Sequence, residues 1–125
     1  MYKVYPAIIN KENDVFWMEF PDLPGCQTMG ETIEETMKNA EEALGLFLAS
    51  FVEDGQEIPE ASAIEDIESK YSKSYVSADV SKYIRKTKAV KKTLTIPEWM
   101  NEEAEKQHIN FSKVLQEALA EKLVL

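Results

Sequence analysis

The chain opens with strand-like alternation. Tyr2 to Ile9 is rich in aromatic and β-branched residues and reads as a strand. Pro6 lies inside it; proline has no amide to give a ladder, so an edge position or a bulge is expected there. Asn10 to Asp14 is a polar turn of the hairpin type. Val15 to Phe20 is the second strand, with Phe16, Met18 and Phe20 on one face by the period of two. Pro21-Asp22-Leu23-Pro24-Gly25 breaks the ladder. Cys26 to Met29 allows a short third strand, stopped by Gly30.

The period then changes. Thr32 followed by Glu35 predicts a capping box, in which the hydroxyl takes the N3 amide and the carboxylate reaches back. Ile33, Met37, Ala40, Leu44, Phe47 and Phe51 recur at steps of three and four and form one apolar stripe. Gly55 after Asp54 suits a C-terminal cap. Residues 56–74 are polar and hold Pro59, with room for a short helix from Ser62 to Ser69. Tyr75 to Val80 alternates weakly and predicts a strand returning to the sheet. Residues 1–81 therefore spell β-β-β-α-β, an α+β unit with the long helix on one sheet face. Residues 82–89 read as a basic hinge, and 90–125 as a second unit.

That second unit starts with Val90-Lys91-Lys92-Thr93-Leu94-Thr95-Ile96. Val90, Leu94 and Ile96 point one way; Lys91, Thr93 and Thr95 point the other. Pro97 ends the strand and suits a first helical turn. A helix from Glu98 to Gln107 offers Trp99, Met100 and Ala104 to a core. His108-Ile109-Asn110 is a turn, with Asn110 a good N-cap. A last helix from Phe111 to Leu123 carries Val114, Leu115, Ala118 and Leu119 at helical spacing.

Charge changes the picture. The net charge of −9 is confined to residues 1–87, where 8 Lys and Arg face 17 Asp and Glu. Residues 88–125 hold 6 of each. From Lys82 to Lys92 every charged residue is basic. The acidic part repels phosphate and suits a basic protein; the basic run suits phosphate. No apolar run approaches the ~18–20 residues that cross a bilayer, so no membrane role is expected. The single cysteine, Cys26, excludes an intrachain disulfide and fits a reducing cytoplasm.

A lone strand leaves its backbone groups unpaired, and so small a core is marginal alone. Homodimerisation repairs both faults: two strands pair antiparallel, and four helices cover one face. The other face then carries Lys91, Thr93 and Thr95 from each chain. A two-stranded ribbon fits the major groove, where lysine donates to guanine and threonine meets several base edges. The free amides at Asn110, Phe111 and Ser112 suit phosphate oxygens.

Little points to catalysis. The first strand has no Asp or Glu; Glu19 stands alone and Asp22 lies in the proline-rich turn. No metal cluster is spelled out, and no catalytic residue or cofactor is expected. A zinc site lacks its three or four ligands. Cys26 is expected in packing, His108 in the turn, and Trp17 and Trp99 in the core, with an interface anchor as the other use of Trp17.

Two resemblances sharpen this reading. Lys92-Thr93-Leu94-Thr95-Ile96-Pro97, Ile109-Asn110-Phe111-Ser112 and Val114-Leu115-Gln116-Glu117-Ala118-Leu119 resemble the ribbon-helix-helix repressor family. The resemblance implies base contacts by Lys91, Thr93 and Thr95 and phosphate contacts by Asn110, Phe111 and Ser112. Pro97 departs from it, since many members have a hydrophilic cap there. The run from Phe20 through Gly25 to Thr36, then Asn39-Ala40-Glu41-Glu42-Ala43-Leu44, Asp54-Gly55 and Ile58-Pro59, resembles the HicB antitoxin family. That resemblance implies a partial ribonuclease-H-like fold without catalysis. It also implies a HicA-like mRNA-cleaving toxin as partner, operator DNA as ligand and repression of its own operon. The toxin-binding residues stay unassigned, as does the choice between dimer and tetramer. A stand-alone ribbon-helix-helix regulator with a sensing N-terminal domain is the alternative.

Overall fold

The computed structural model describes residues 1–85 and 88–123. Four strands form one antiparallel sheet: β1 (Tyr2–Glu12), β2 (Val15–Glu19), β3 (Gln27–Gly30) and β4 (Ser72–Asp79), in the order β3-β2-β1-β4. The long helix α1 spans Ile33–Glu53. Two short helices, α2 (Glu98–Lys106) and α3 (Phe111–Lys122), follow. The chain divides into two compact units, Met1–Thr87 and Lys88–Leu125.

Turn chemistry sets the first hairpin. Glu12 pairs with Val15, leaving Asn13 and Asp14 as a two-residue turn with φ of 51° and 63°. Positive φ at both positions is what a type I′ hairpin requires, and Asn and Asp tolerate it better than most side chains. The turn is thus shorter than the polar run 10–14 suggests, and β1 runs on to Glu12. The strand order puts β1 inside the sheet, although Pro6 led us to expect an edge. The register reconciles the two. Pro6 pairs with Tyr75 of β4, while β2 joins β1 only from Ile8 onward. At Pro6 one side of β1 has no neighbouring strand, so the missing amide breaks no ladder.

Helix α1 starts and stops by local chemistry. The Thr32 Oγ1 accepts the Glu35 amide at 3.1 Å, as expected. The Glu35 carboxylate reaches back to the amide of Glu31, at 3.3 Å, one residue earlier than the standard box. At the other end Gly55 has φ of 68°. Its amide donates to Val52 and that of Gln56 to Phe51, the paired bonds of a Schellman cap.

The core lies between α1 and one sheet face. Tyr5, Ala7, Met18, Phe20, Val76 and Ala78 meet Ala40, Leu44, Leu48 and Ala49 there. The buried line of α1 runs Thr36, Ala40, Leu44, Leu48, rather than through Ile33 and Phe51. Ile33 is exposed and Phe51 half-buried. Leu23 and Cys26, from the proline-rich loop, plug the side of this core. Gly30 lets β3 approach closely: a Cβ there would lie 2.8 Å from the Thr36 amide nitrogen.

Between Glu53 and Ser72 the chain crosses the sheet with only one 3-10 turn, Ile64–Asp66, where a longer helix seemed possible. It is clipped at several points. The Tyr5 hydroxyl donates to the Pro59 carbonyl. Both oxygens of Asp22 accept from Ser62, at 2.8 Å and 2.6 Å. Lys73 Nζ donates to the carbonyls of Ile64 and Ile67.

After β4 a 3-10 turn, Val80–Tyr83, lies on α1. The Tyr83 ring occupies the space over Gly45, where a Cβ would come within 2.2 Å of it. The Arg85 amide donates to Glu53. The hinge expected at 82–89 thus begins with a fastened segment; its Lys86 and Thr87 lie outside the described residues.

Candidate nucleic-acid interface and partner surface

Residues 88–96 form no ladder in the single chain, although alternation predicts a strand at 90–96. A strand is defined by its partner, and no described residue pairs with this run. Val90 is 85% exposed and Leu94 57%. Lys91, Thr93 and Thr95 are exposed in this run, and the structure does not bring them against another element.

Pro97 sits at the N-cap of α2 rather than inside its first turn, and its side chain caps nothing. The helix closes through His108, which has φ of 55°. The His108 amide donates to Glu105 at 3.1 Å and that of Ile109 to Ala104 at 3.0 Å. This is the same Schellman geometry that ends α1, with histidine in place of glycine. The only histidine is therefore a turn residue whose backbone does the work.

Asn110 then caps α3, its Oδ1 accepting the Lys113 amide at 3.1 Å. The structure brings Asn110, Phe111 and Ser112 together at the start of this helix, all exposed. Sequence reasoning placed Trp99, Met100, Val114 and Leu119 in a core. In the single chain they are exposed, Trp99 by 64%. No described residue of α2 or α3 is buried.

The first unit presents different surfaces. Glu19 lies on the sheet face away from α1. Asp22 is engaged with Ser62, which accounts for both its oxygens. Among the described residues no three of His, Cys, Asp and Glu converge to hold a metal ion. Cys26 is buried, its thiol directed to the Ala43 carbonyl at 3.7 Å, and burial pushes its pKa up to about 11. Asp79 is held below its ordinary value, chiefly by the Ser81 hydroxyl. Burial and then the charge of Asp22 raise the Tyr5 hydroxyl. Trp17, expected in the core, is only half-buried, its ring edge-on to Tyr71 at 5.3 Å. Among the described residues no helix is long and apolar enough to cross a membrane.

These features define a two-unit α+β protein: an acidic sheet-and-helix module followed by a helix pair whose described apolar side chains are largely exposed. Residues 5–119 match the HicB_like antitoxin of bacterial toxin-antitoxin system. The chain belongs to that family. It is similar to a chain of a toxin–antitoxin complex from Streptococcus pneumoniae, 32% identical over 98% of this chain and 99% of that one, with a TM-score of 0.61. A chain of the HicA3 and HicB3 toxin–antitoxin complex is 26% identical over 62% of this chain and 99% of its own, with a TM-score of 0.53. An uncharacterized 14.9 kDa protein of Haemophilus phage HP1 is 40% identical over 62 residues, 50% of this chain and 47% of the phage protein. This chain therefore matches about half the length of that phage relative.

Proposed function

We propose that this chain is the antitoxin of a type II toxin–antitoxin pair, neutralising a HicA-like mRNA-cleaving toxin and repressing its own operon. The observation that carries the antitoxin reading is the end-to-end similarity to a chain of a solved toxin–antitoxin complex. In this reading the first unit, a partial ribonuclease-H-like fold, masks the toxin and has no catalysis of its own. Its charge balance suits a cationic, RNA-binding partner and speeds encounter at low salt. The pair acts in the cytoplasm, where messenger RNA is translated.

The second unit reads DNA as a ribbon-helix-helix dimer. The support is that none of its described residues is buried: Leu94, Ile96, Trp99, Val114 and Leu119 need a second copy to leave water. Pairing of residues 90–96 between copies turns Lys91, Thr93 and Thr95 to the major groove. The α3 amides at Asn110, Phe111 and Ser112 then hold phosphate and fix register.

Co-expression tests this directly. The chain and the small basic protein encoded beside it should purify as one complex in which RNA cleavage is suppressed. Absence of a complex, with operator DNA still bound, would favour a stand-alone repressor.

A further inference from the structure

The sheet face opposite α1 is only partly covered. By register and pleat it carries Pro6, Ile8, Asn10 and Glu12 of β1, Trp17 and Glu19 of β2, and Gln27 and Met29 of β3. Pro6 and Ile8 are buried, and the crossing segment is tied down beside them by Lys73 and by Tyr71 against Trp17. Beyond Tyr71 the cover stops. Trp17 pairs directly across with Met29, which is 64% exposed, and a cleft of about 590 Å³ opens along this pair. Glu12, Glu19 and Gln27 line the same cleft.

The chemistry of this cleft selects its occupant. An exposed methionine beside a half-covered tryptophan is an anchor-type apolar centre, since large flat or adaptable side chains supply most of the energy at protein interfaces. The carboxylates beside it have no free lysine to answer them within the sheet, and outside it Lys70 is held over the Tyr71 ring at 5.1 Å. Lys11 lies over the Phe16 ring at 5.4 Å, Lys73 donates to two carbonyls, and Lys3 pairs across from Ala78 at the far end. Nucleic acid and anionic membrane are repelled. A second copy docking through the same patch would set Glu12 and Glu19 against their own equivalents, a like-charge contact. A cationic protein with an apolar knob satisfies both parts of the surface.

We propose that Trp17 and Met29 anchor, and Glu12 and Glu19 ring, the site where this chain grips its basic protein partner. The assignment rests on the antitoxin reading and gives it a location. Its test uses the full-length chain and the basic protein encoded beside it. Met29→Lys, at an exposed position, should raise the Kd at least ~30-fold. The pair Glu12→Lys and Glu19→Lys should slow association about tenfold at low salt, with the effect fading at high salt. Operator binding should be unchanged in both. In a Trp99→Phe background, Trp17 fluorescence should become shielded from acrylamide when the partner saturates. If the wild type binds the partner and all three readouts stay flat, the site lies elsewhere and the antitoxin reading survives. If the wild type binds no such protein, both fall. A drop in oligomer size in Met29→Lys, by sedimentation, would make the occupant a second copy and overturn the assignment.

Discussion

The first unit keeps Met18, Leu44 and Leu48 wholly out of water with its own residues, while among the described residues of the second none is buried. Both are built from amphipathic elements with sound local chemistry. Each has a helix with an N-cap side chain bonded to the N3 amide, and each has a Schellman closure. What differs is the number of surfaces available within one chain. The first unit has a sheet to set against its helix. In the second, two short helices and an unpaired run expose their apolar positions. Good caps and good periodicity therefore define helices, but only a second surface makes a core.

The sharpest way to break this contrast is to compare one leucine from each unit, exposed Leu94 and buried Leu44. Leu94→Asp should leave the chain monomeric and abolish operator binding, with the thermal transition of the first unit unmoved. Leu44→Ala should cost the first unit about 3–5 kcal/mol in urea unfolding, independent of protein concentration. Concentration-dependent unfolding of both units, or of neither, would erase the distinction. A smaller effect should come from the positions proposed to face the groove. Lys91→Ala with Thr93→Ala should weaken operator binding by roughly 1–3 kcal/mol per lost base contact while toxin neutralisation is spared. Loss of both functions together would mean that the two units do not work separately.

The smallest expected effect concerns Cys26. Its folded pKa of about 11 lies above the ~8.5 of a free thiol. The folded state therefore holds the proton longer. The stability linked to it is full below the free-thiol value and is lost as pH rises toward 11. Urea midpoints should fall between these pH values, and Cys26→Ala should flatten that fall. At pH 8 the native thiol should react slowly with a thiol reagent and fast once unfolded.

Much of this architecture is legible in the sequence because it is local. Thr32 with Glu35, Gly55 and Asn110 act within a few residues of themselves, and each does what its residue type predicts. The features that pattern misses are those set by distant partners. Nothing in β1 says that β4 lies beside it, so the side on which Pro6 is free cannot be read in advance. The buried line of α1 passes through Leu48 instead of Phe51, a choice made by packing against the sheet and not by spacing along the helix. Asp22 gives no sign that Ser62, forty residues away, will occupy both its oxygens. Lys91, Thr93 and Thr95, proposed to face DNA, are legible as an alternating pattern alone, since no described residue pairs with their run to define a face. The cleft beside Trp17 is missed for a related reason. Its four lining residues of interest sit on three strands, and only the register puts them side by side.

One last consequence follows from the clips on the crossing between α1 and β4. A stretch of this length without regular structure is usually the most expendable part of a domain. Here the ties at Pro59, Ser62, Ile64 and Ile67 divide it into short arcs. Closing a short arc is entropically cheap, and lengthening one adds only ~0.6 kcal/mol per doubling. Insertions between the clips should therefore do little harm, whereas a change at Asp22 or Lys73 would release its own tie and merge neighbouring arcs into a longer one.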